Sequence, residues 1–215
     1  MGHKLGVNGV DNAALKYNKV RIPREFMMNR YADVTADGQF NSDVKKIPQR
    51  FFKVTERLLS GRICIAAMCI GAQKACLMIA VRYAQQRLSI GVSGKSTEPI
   101  MSYQLQQNAL MPLFARSLAL NALYNWARNV FKNPVNNAHD QLMICCITKT
   151  MLGWNLLKVT NTCRERCGGM GYLSVAKFGD YLAIAHTCLT AEGDNRVLMT
   201  KIVKDYMTNM KNKKF

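Results

Sequence analysis

The sequence predicts a mainly α fold: an antiparallel helical bundle preceded by a short remnant of a β domain. Three observations carry that expectation. Of the 215 residues, 49% are apolar, enough for a packed core. From about residue 54 onward, apolar positions recur at helical spacing in long stretches separated by short Gly-, Pro- and Asn-containing breaks. Before that point the apolar spacing shortens toward that of strands. The length suits one domain with a small attached piece, divided here into residues 1–35 and 36–215.

Residues 4–24 read as extended. "GVNGVDN" offers turn residues, and Leu15, Tyr17, Val20 and Ile22 follow near strand spacing, with a turn at Asn18–Lys19 and an end at Pro23. Two strands cannot bury their own faces, so this reads as the edge of a sheet. The first long helix spans about Val54 to Leu88, with Leu59, Ile63, Ala66 and Ile70 on one side. Its apolar run Ile63–Val81 is long enough to suggest a membrane span, but Gln73 and Lys74 sit near its centre. A central lysine costs about 2.5–3.5 kcal/mol on insertion. A buried bundle helix, and no transmembrane segment, is the expectation.

"IGVSGKSTEP" breaks that helix. A second runs from about Tyr103 to Phe131, supported by Leu113, Leu120, Leu123 and Val130, with Pro112 as a candidate kink. "KNPVNN" breaks the pattern again. A third helix, about Ala138 to Arg166, stops at Gly168-Gly169. A short helical stretch at 178–188 follows. The last helix starts after Asp194, an N-cap candidate, and stacks Leu198, Ile202, Tyr206 and Met210 at i, i+4 spacing. Long helices joined by short loops describe an antiparallel bundle.

A net charge of +17 favours an anionic partner: phosphate, nucleotide, nucleic acid or membrane surface. The cations are scattered apart from Lys211, Lys213 and Lys214, and no nucleic-acid reading element is recognisable, so no nucleic acid is expected. The eight cysteines show no disulfide framework. Cys64, Cys69, Cys76, Cys145 and Cys146 lie in apolar helical stretches, as small hydrophobes do in a reducing compartment. Cys163 and Cys167 form C-x-x-x-C without the second pair a zinc site needs, so no metal is expected.

Three places carry candidate chemistry. Glu192 and Asp194 sit together in "TAEGDN" just before a helix. They either complement the positive end of that helix or include a general base, Glu192, whose pKa an apolar pocket would raise. "CGGMGY" is either a helix C-cap turn or a bare stretch of backbone that approaches a phosphate or flavin. Arg87 is either a surface arginine or the bidentate partner of a pyrophosphate. None of these is decided singly.

Their order and setting carry more. "GHKLGVNGVDNAALKYNKVRIPRE", "SGRICIAA", "AVRYAQQR", "MSYQLQQNALMPLFA", "CRERCGGMGYLSVAKFG" and "TAEGDNRVLM" are collinear over essentially the whole chain. Together they resemble the acyl-CoA oxidase family of fatty-acid β-oxidation, and most of all its plant-type long-chain branch. The resemblance implies a chain that holds the end of the family's middle β domain followed by its C-terminal helical bundle. It implies FAD as cofactor, with O2 as electron acceptor and H2O2 as product. Matched motif by motif, Glu192 is the base that takes the α-proton of the acyl-CoA thioester. Arg87 reaches the FAD diphosphate of a partner subunit, and Gly168, Gly169 and Gly171 approach that same cofactor. Gln104 lies near the adenine end, and Asp194 and Asn195 line the cofactor site beside the base.

The chain departs from the family pattern at Ala191, Met170, Ile90 and Glu165, where the family has an aromatic, a histidine, an aromatic and, in the related dehydrogenases, a glutamine. Counterparts of the family's N-terminal domain, most of its β domain and its second C-terminal domain are not in the sequence. The resemblance therefore implies either a fragment of a longer product or a chain that works with another polypeptide, in a homodimer or with a partner supplying the missing domains. Two rival functions stand beside the oxidase: a non-catalytic helical assembly protein, and an acyl-CoA dehydrogenase using a flavoprotein acceptor. The resemblance implies a peroxisomal location, although the ending "NKKF" is not an S-K-L-type signal.

Overall fold

The apolar side chains spaced for strands at the start of the chain find no sheet. In the computed structural model, which describes residues 1–55, 58–133 and 138–211, Leu15, Tyr17, Val20 and Ile22 are 62–79% exposed and residues 1–32 form no strand. The expected strands at 4–24 are therefore corrected to an unpaired extended segment. A strand needs a neighbour to satisfy its backbone and cover one face, and the described residues supply none there. One close contact ties this segment down: a Cβ at Gly6 would lie 2.8 Å from that of Ala183. Pairing begins only with β1 (Asp33–Val34) and β2 (Phe40–Asn41), a minimal hairpin turned through Gly38 at φ +85°.

The helices follow as α1 (Ile47–Thr55), α2 (Leu58–Gln86), α3 (Gln104–Lys132), α4 (Ala138–Arg166), α5 (Phe178–Thr190) and α6 (Asn195–Lys211). Helix α1 was not expected. The break "IGVSGKSTEP" is itself structured: β3 (Leu88–Ile90) pairs antiparallel with β4 (Ser96–Pro99), Leu88 opposite Pro99. Helix α3 runs unbroken through Pro112. That residue is exposed, so the Asn108 carbonyl deprived of its helical donor can be hydrated. The centre of the "KNPVNN" break, and Lys213, Lys214 and the "NKKF" ending, lie outside the described residues.

The core is stacked in layers along the bundle. One layer joins Ala84 of α2, Leu110 of α3, Val159 and Cys163 of α4 and Phe178 of α5. A middle layer joins Ala66 and Ile70, Leu120, Leu152 and Leu156, and Ala185 and Cys188. A third joins Leu59 and Ile63, Ala127 and Cys145. From the third layer to the first, residue numbers rise along α2 and α4 and fall along α3 and α5. Consecutive helices thus run antiparallel, and α4 is the central element, packed on α2, α3, α5 and α6. Helix α6 lies against the lower half of α4 through Leu198, Ile202 and Cys146.

Gln73 shows why α2 is at home in this core. Its side chain is fully buried, donates to the Leu152 carbonyl at 3.0 Å, and accepts from Asn155 Nδ2 at 2.9 Å and Ser117 Oγ at 3.2 Å. The network joins three helices at one level and satisfies an otherwise costly buried amide. Two helices are long and apolar enough to cross a membrane by length and composition, and half or more of each apolar window is buried in the bundle. Seven cysteines are buried thiols, whereas Cys64, expected inside the apolar stretch, is exposed.

Leu152 and Leu156 of the middle layer are 0% exposed. Leu152→Ala is expected to cost about 2–5 kcal/mol in urea unfolding, the usual range for a leucine deleted from a core that cannot collapse around it. A loss under about 1 kcal/mol would contradict the packing described here.

Candidate active site

Helices α5 and α6 are joined by four residues, Ala191-Glu192-Gly193-Asp194, and the backbone there is unusual. Glu192 has φ +56° and Gly193 φ +106°. The left-handed region suits glycine but costs about 1–2 kcal/mol for a residue with a Cβ. Glycine at 192 would remove that strain, yet the turn carries a glutamate there.

The turn is held from two helices. Arg62 of α2 donates Nε–H to the Glu192 carbonyl at 3.2 Å. Lys149 of α4, fully buried, donates from Nζ to the Gly193 carbonyl at 2.6 Å and to Asn195 Oδ1 at 2.7 Å. Asn195 Nδ2 returns to the Thr150 carbonyl at 3.3 Å. Gly153, one turn along α4, leaves the space this requires: a Cβ there would lie 3.1 Å from Asn195 Nδ2 and 3.2 Å from the Cys188 carbonyl. The stretch "KTMLG" of α4 is thus the platform on which the turn rests.

Each predicted residue of this group has a definite task. Asp194 is the N-cap of α6, its carboxylate accepting from the backbone N–H groups of Arg196 at 2.9 Å and Val197 at 3.2 Å. Asn195 is 2% exposed, and its amide is engaged by Lys149 and Thr150. The Glu192 carboxylate rests over the backbone of Gly61 in α2, where a Cβ would come within 2.6 Å of both its oxygens. The expectation of a dry apolar pocket is corrected: within this chain Glu192 is exposed. The apolar neighbours of the turn, Cys188 and Leu198, point into the bundle and leave the carboxylate at the rim of α2.

Charge beneath the turn is set by burial. Desolvation holds the Lys149 ammonium below the ordinary lysine range, opposed by Cys188, Cys69 and Asp194. The paired thiols of Cys69 and Cys188 act on each other: Cys188, with burial, makes Cys69 hold its proton more tightly, whereas Cys69, with Lys149, eases proton loss from Cys188.

The remaining candidates lie elsewhere. Arg87 follows the last residue of α2, is exposed, and its guanidinium makes no hydrogen bond or ion pair with the described residues. Its carbonyl accepts from Ile100 N–H at 2.8 Å, which anchors the chain after the hairpin. Gln104 is the exposed first residue of α3. Two residues on, Gln106 donates to the Arg166 carbonyl at 3.1 Å, so this end of α3 abuts the end of α4 and its glycine turn. Gly168, at φ +56°, and Gly169 present open backbone, with nothing within 4 Å of an added Cβ. Gly171 is buried instead, and a Cβ there would run into the Arg164 carbonyl. Beside this turn, Arg166 Nε is buried and has no hydrogen-bond partner among the described residues.

The predicted residues therefore form two groups. Glu192, Asp194 and Asn195 gather near Gly61, whereas Arg87, Gln104, Gly168, Gly169 and Gly171 gather at the opposite end of the bundle. Along α2 the 26 residues from Gly61 to Arg87 span roughly 39 Å at about 1.5 Å each, more than the roughly 30 Å of a small domain. Sequence reasoning missed Gly61, Arg62, Lys149, Gly153 and Gln106. The available signal was a lone lysine inside the apolar helical run "MICCITKTML".

Gly61→Ala separates placement from stability. The collision involves only the far end of a flexible side chain, and alanine gains up to about 1 kcal/mol in a helix. The expected outcome is unchanged or slightly raised thermal stability with a shifted Glu192 side-chain carboxyl resonance. An unshifted resonance would contradict the contact. Asp194→Ala is expected to cost about 0.5–2 kcal/mol through loss of the cap, measured by chemical denaturation.

Known proteins are similar to this chain in sequence and in fold. The family model described as the acyl-CoA oxidase C-alpha1 domain matches residues 56–207. Acyl-coenzyme A oxidase 2, peroxisomal, from Arabidopsis thaliana is 34% identical over 218 residues, covering 99% of this chain and 31% of that protein. An acyl-CoA oxidase from tomato aligns with a TM-score of 0.81 at 26% identity, covering 99% of this chain and 34% of its own. Acyl-CoA oxidase-2 of Caenorhabditis elegans, solved with FAD, ascaroside-CoA and ATP, shares the fold with a TM-score of 0.80 at 22% identity, covering 100% of this chain and 34% of its own. The chain spans about a third of the length of the relatives it matches. With more than half of its residues matched by the family model, the chain belongs to the acyl-CoA oxidase family of oxidoreductases.

Proposed function

We propose that the chain is the C-terminal helical part of an FAD-dependent, peroxisomal acyl-CoA oxidase that forms trans-2-enoyl-CoA and H2O2 from a long-chain acyl-CoA. The observation that carries this reading is the strained turn: a left-handed glutamate is held by Arg62 and Lys149 so that its carboxylate stands over Gly61. Family membership, the peroxisomal names of relatives, and FAD in the C. elegans structure support it.

The residues at the far end of α2 fit an anionic cofactor. Arg87 has a free guanidinium, Gly168 and Gly169 leave the backbone open, and Arg166 has a buried donor with no acceptor. These would hold the FAD diphosphate, with Gln104 toward the adenine end. Bound FAD supplies the acceptor for the β-hydride, and O2 the final oxidant.

Glu192 removes the α-proton of the thioester, and its backbone N–H stabilises the enolate oxygen as charge develops. Asp194 and Asn195 act through the turn, by capping α6 and by fixing the backbone on the far side of Glu192. The base cannot share one cofactor with Arg87 of its own chain across roughly 39 Å of helix. The site is therefore completed by a second copy, and the domains that would cover Glu192 are supplied from outside the described chain. The exposed Met170, Tyr172, Leu173 and Val175 around the glycine turn offer an apolar surface for that assembly.

Exposure of Glu192 and the departures at Ala191 and Met170 favour one rival, a non-catalytic bundle kept for assembly. The chain expressed with a polypeptide supplying the family's N-terminal and β domains decides between them, by flavin absorbance and by H2O2 released from a long-chain acyl-CoA. Glu192→Gln is expected to retain flavin and lose peroxide formation by about 10²–10⁴, the share of a general base. Arg87→Met is expected to lower flavin occupancy with the fold intact. Neither flavin nor peroxide in the wild-type assembly would reject the proposal, and peroxide unchanged in Glu192→Gln would reject the base. Peroxide formed without any added acceptor separates an oxidase from a dehydrogenase.

A further inference from the structure

We infer that Lys149 is the positioning residue of the proposed base: its buried amino group locks the 192–195 turn onto α4 and thereby fixes where the Glu192 carboxylate stands. This rests on the reading of Glu192 as the base, but the hold itself is a property of the chain alone.

Lysine is an unexpected residue in the middle of a bundle helix. Lys149 is 0% exposed, and both of its hydrogen-bond partners are neutral amide oxygens, Gly193 O at 2.6 Å and Asn195 Oδ1 at 2.7 Å. A cation buried against neutral acceptors is costly, and methionine would fill the same volume without that cost. What lysine adds is reach and divergent donors: a four-carbon stem from α4 ends in an ammonium that grips the residues on either side of Asp194.

The grip is closed on itself. Asn195 accepts from Lys149 and donates to the carbonyl of Thr150, the next residue of α4. The carbonyl after Glu192 is thus tied to α4 by Lys149, and Glu192's own carbonyl to α2 by Arg62. Between these two ties the backbone of Glu192 stays at φ +56° and that of Gly193 at φ +106°. The groups around Lys149 are Cys69 and Arg62 from α2, Cys188 from α5 and Asp194 from the turn. None of these accepts a hydrogen bond from Lys149, so its contacts serve geometry rather than ion pairing. Without the lysine, the Gly193 carbonyl and the buried Asn195 amide oxygen lose their donor, and the turn is free to leave the left-handed region.

The test uses the 215-residue chain in solution and three readouts: hydrogen exchange of the 191–196 amides, the Glu192 side-chain carboxyl resonance, and exchange in the α2 and α4 core. Lys149→Met is expected to speed exchange at the turn by ten-fold or more and to average the Glu192 resonance over several environments, with core protection kept. In Lys149→Ala, added propylamine is expected to slow exchange at the turn again, and to do nothing in the wild type. A purely packing role predicts the opposite: core protection falls, the turn follows it, and the amine changes nothing. In the wild type, which raises no question of folding, the Lys149 amino protons should be protected and coupled through the hydrogen bond to the Gly193 carbonyl.

Unprotected, uncoupled amino protons would overturn the inference, as would an unchanged turn in a folded Lys149→Met. These readouts use neither flavin nor substrate. A failure of Glu192 as the base would appear only in peroxide formation, and a failure of Lys149 only at the turn.

Discussion

One buried ammonium, donating to two amide oxygens of the same turn, is the contact on which the rest of the site depends. Burying a cation costs several kcal/mol even after relaxation, and the layered core of the bundle is what offsets it. The contact converts the rigidity of α4, the most heavily packed helix, into a fixed backbone at Glu192. Arg62 does the same from α2, and Gly61 and Gly153 clear the space into which side chain and turn descend. The strain at Glu192 is therefore local, and the surrounding helices are arranged to sustain it.

The second constraint is the length of α2. A straight helix places Gly61 and Arg87 at opposite ends of the bundle, and no local adjustment can bring them together. The residues proposed for the base and those proposed for the cofactor consequently stand at different ends of one chain. At one end stands an exposed carboxylate; at the other, a free guanidinium, open glycine backbone and a buried donor without an acceptor. The exposed apolar residues Met170, Tyr172, Leu173 and Val175 lie at this second end. The chain spans about a third of the length of the relatives it matches, and each proposed group of residues has members exposed at the surface of the described bundle.

Much of the fold was legible because long segments with apolar residues at helical spacing are set apart by clear breakers. The boundaries of α4 at Ala138 and Arg166 and the capping role of Asp194 follow from breakers and cap chemistry that act locally. The strands expected at 4–24 failed for a non-local reason: alternation marks a segment able to pair, and pairing needs a partner that the described residues do not contain. The hairpin β3–β4 was hidden by its own turn-rich composition, since Gly and Ser recur through residues 88–99. At the site, residue types were legible and distances were not. Nothing in the spacing of Lys149 and Gly193 along the chain signals a 2.6 Å contact between them, and the exposure of Glu192 depends on which way Cys188 and Leu198 turn. The resemblance of motifs singled out both groups of residues; only the structure showed that they stand at opposite ends of one helix.

The central claim is that Glu192 acts as a base on the carbon next to a thioester. Its most direct measurement is deuterium wash-out from that carbon in an acyl-CoA analogue with sulfur in place of the β-carbon, so that proton abstraction is seen without hydride transfer. In the complete assembly the wild-type chain should exchange the label into water, and Glu192→Gln should not. Equal wash-out in the two proteins would show that the proton leaves by another route and would contradict the account.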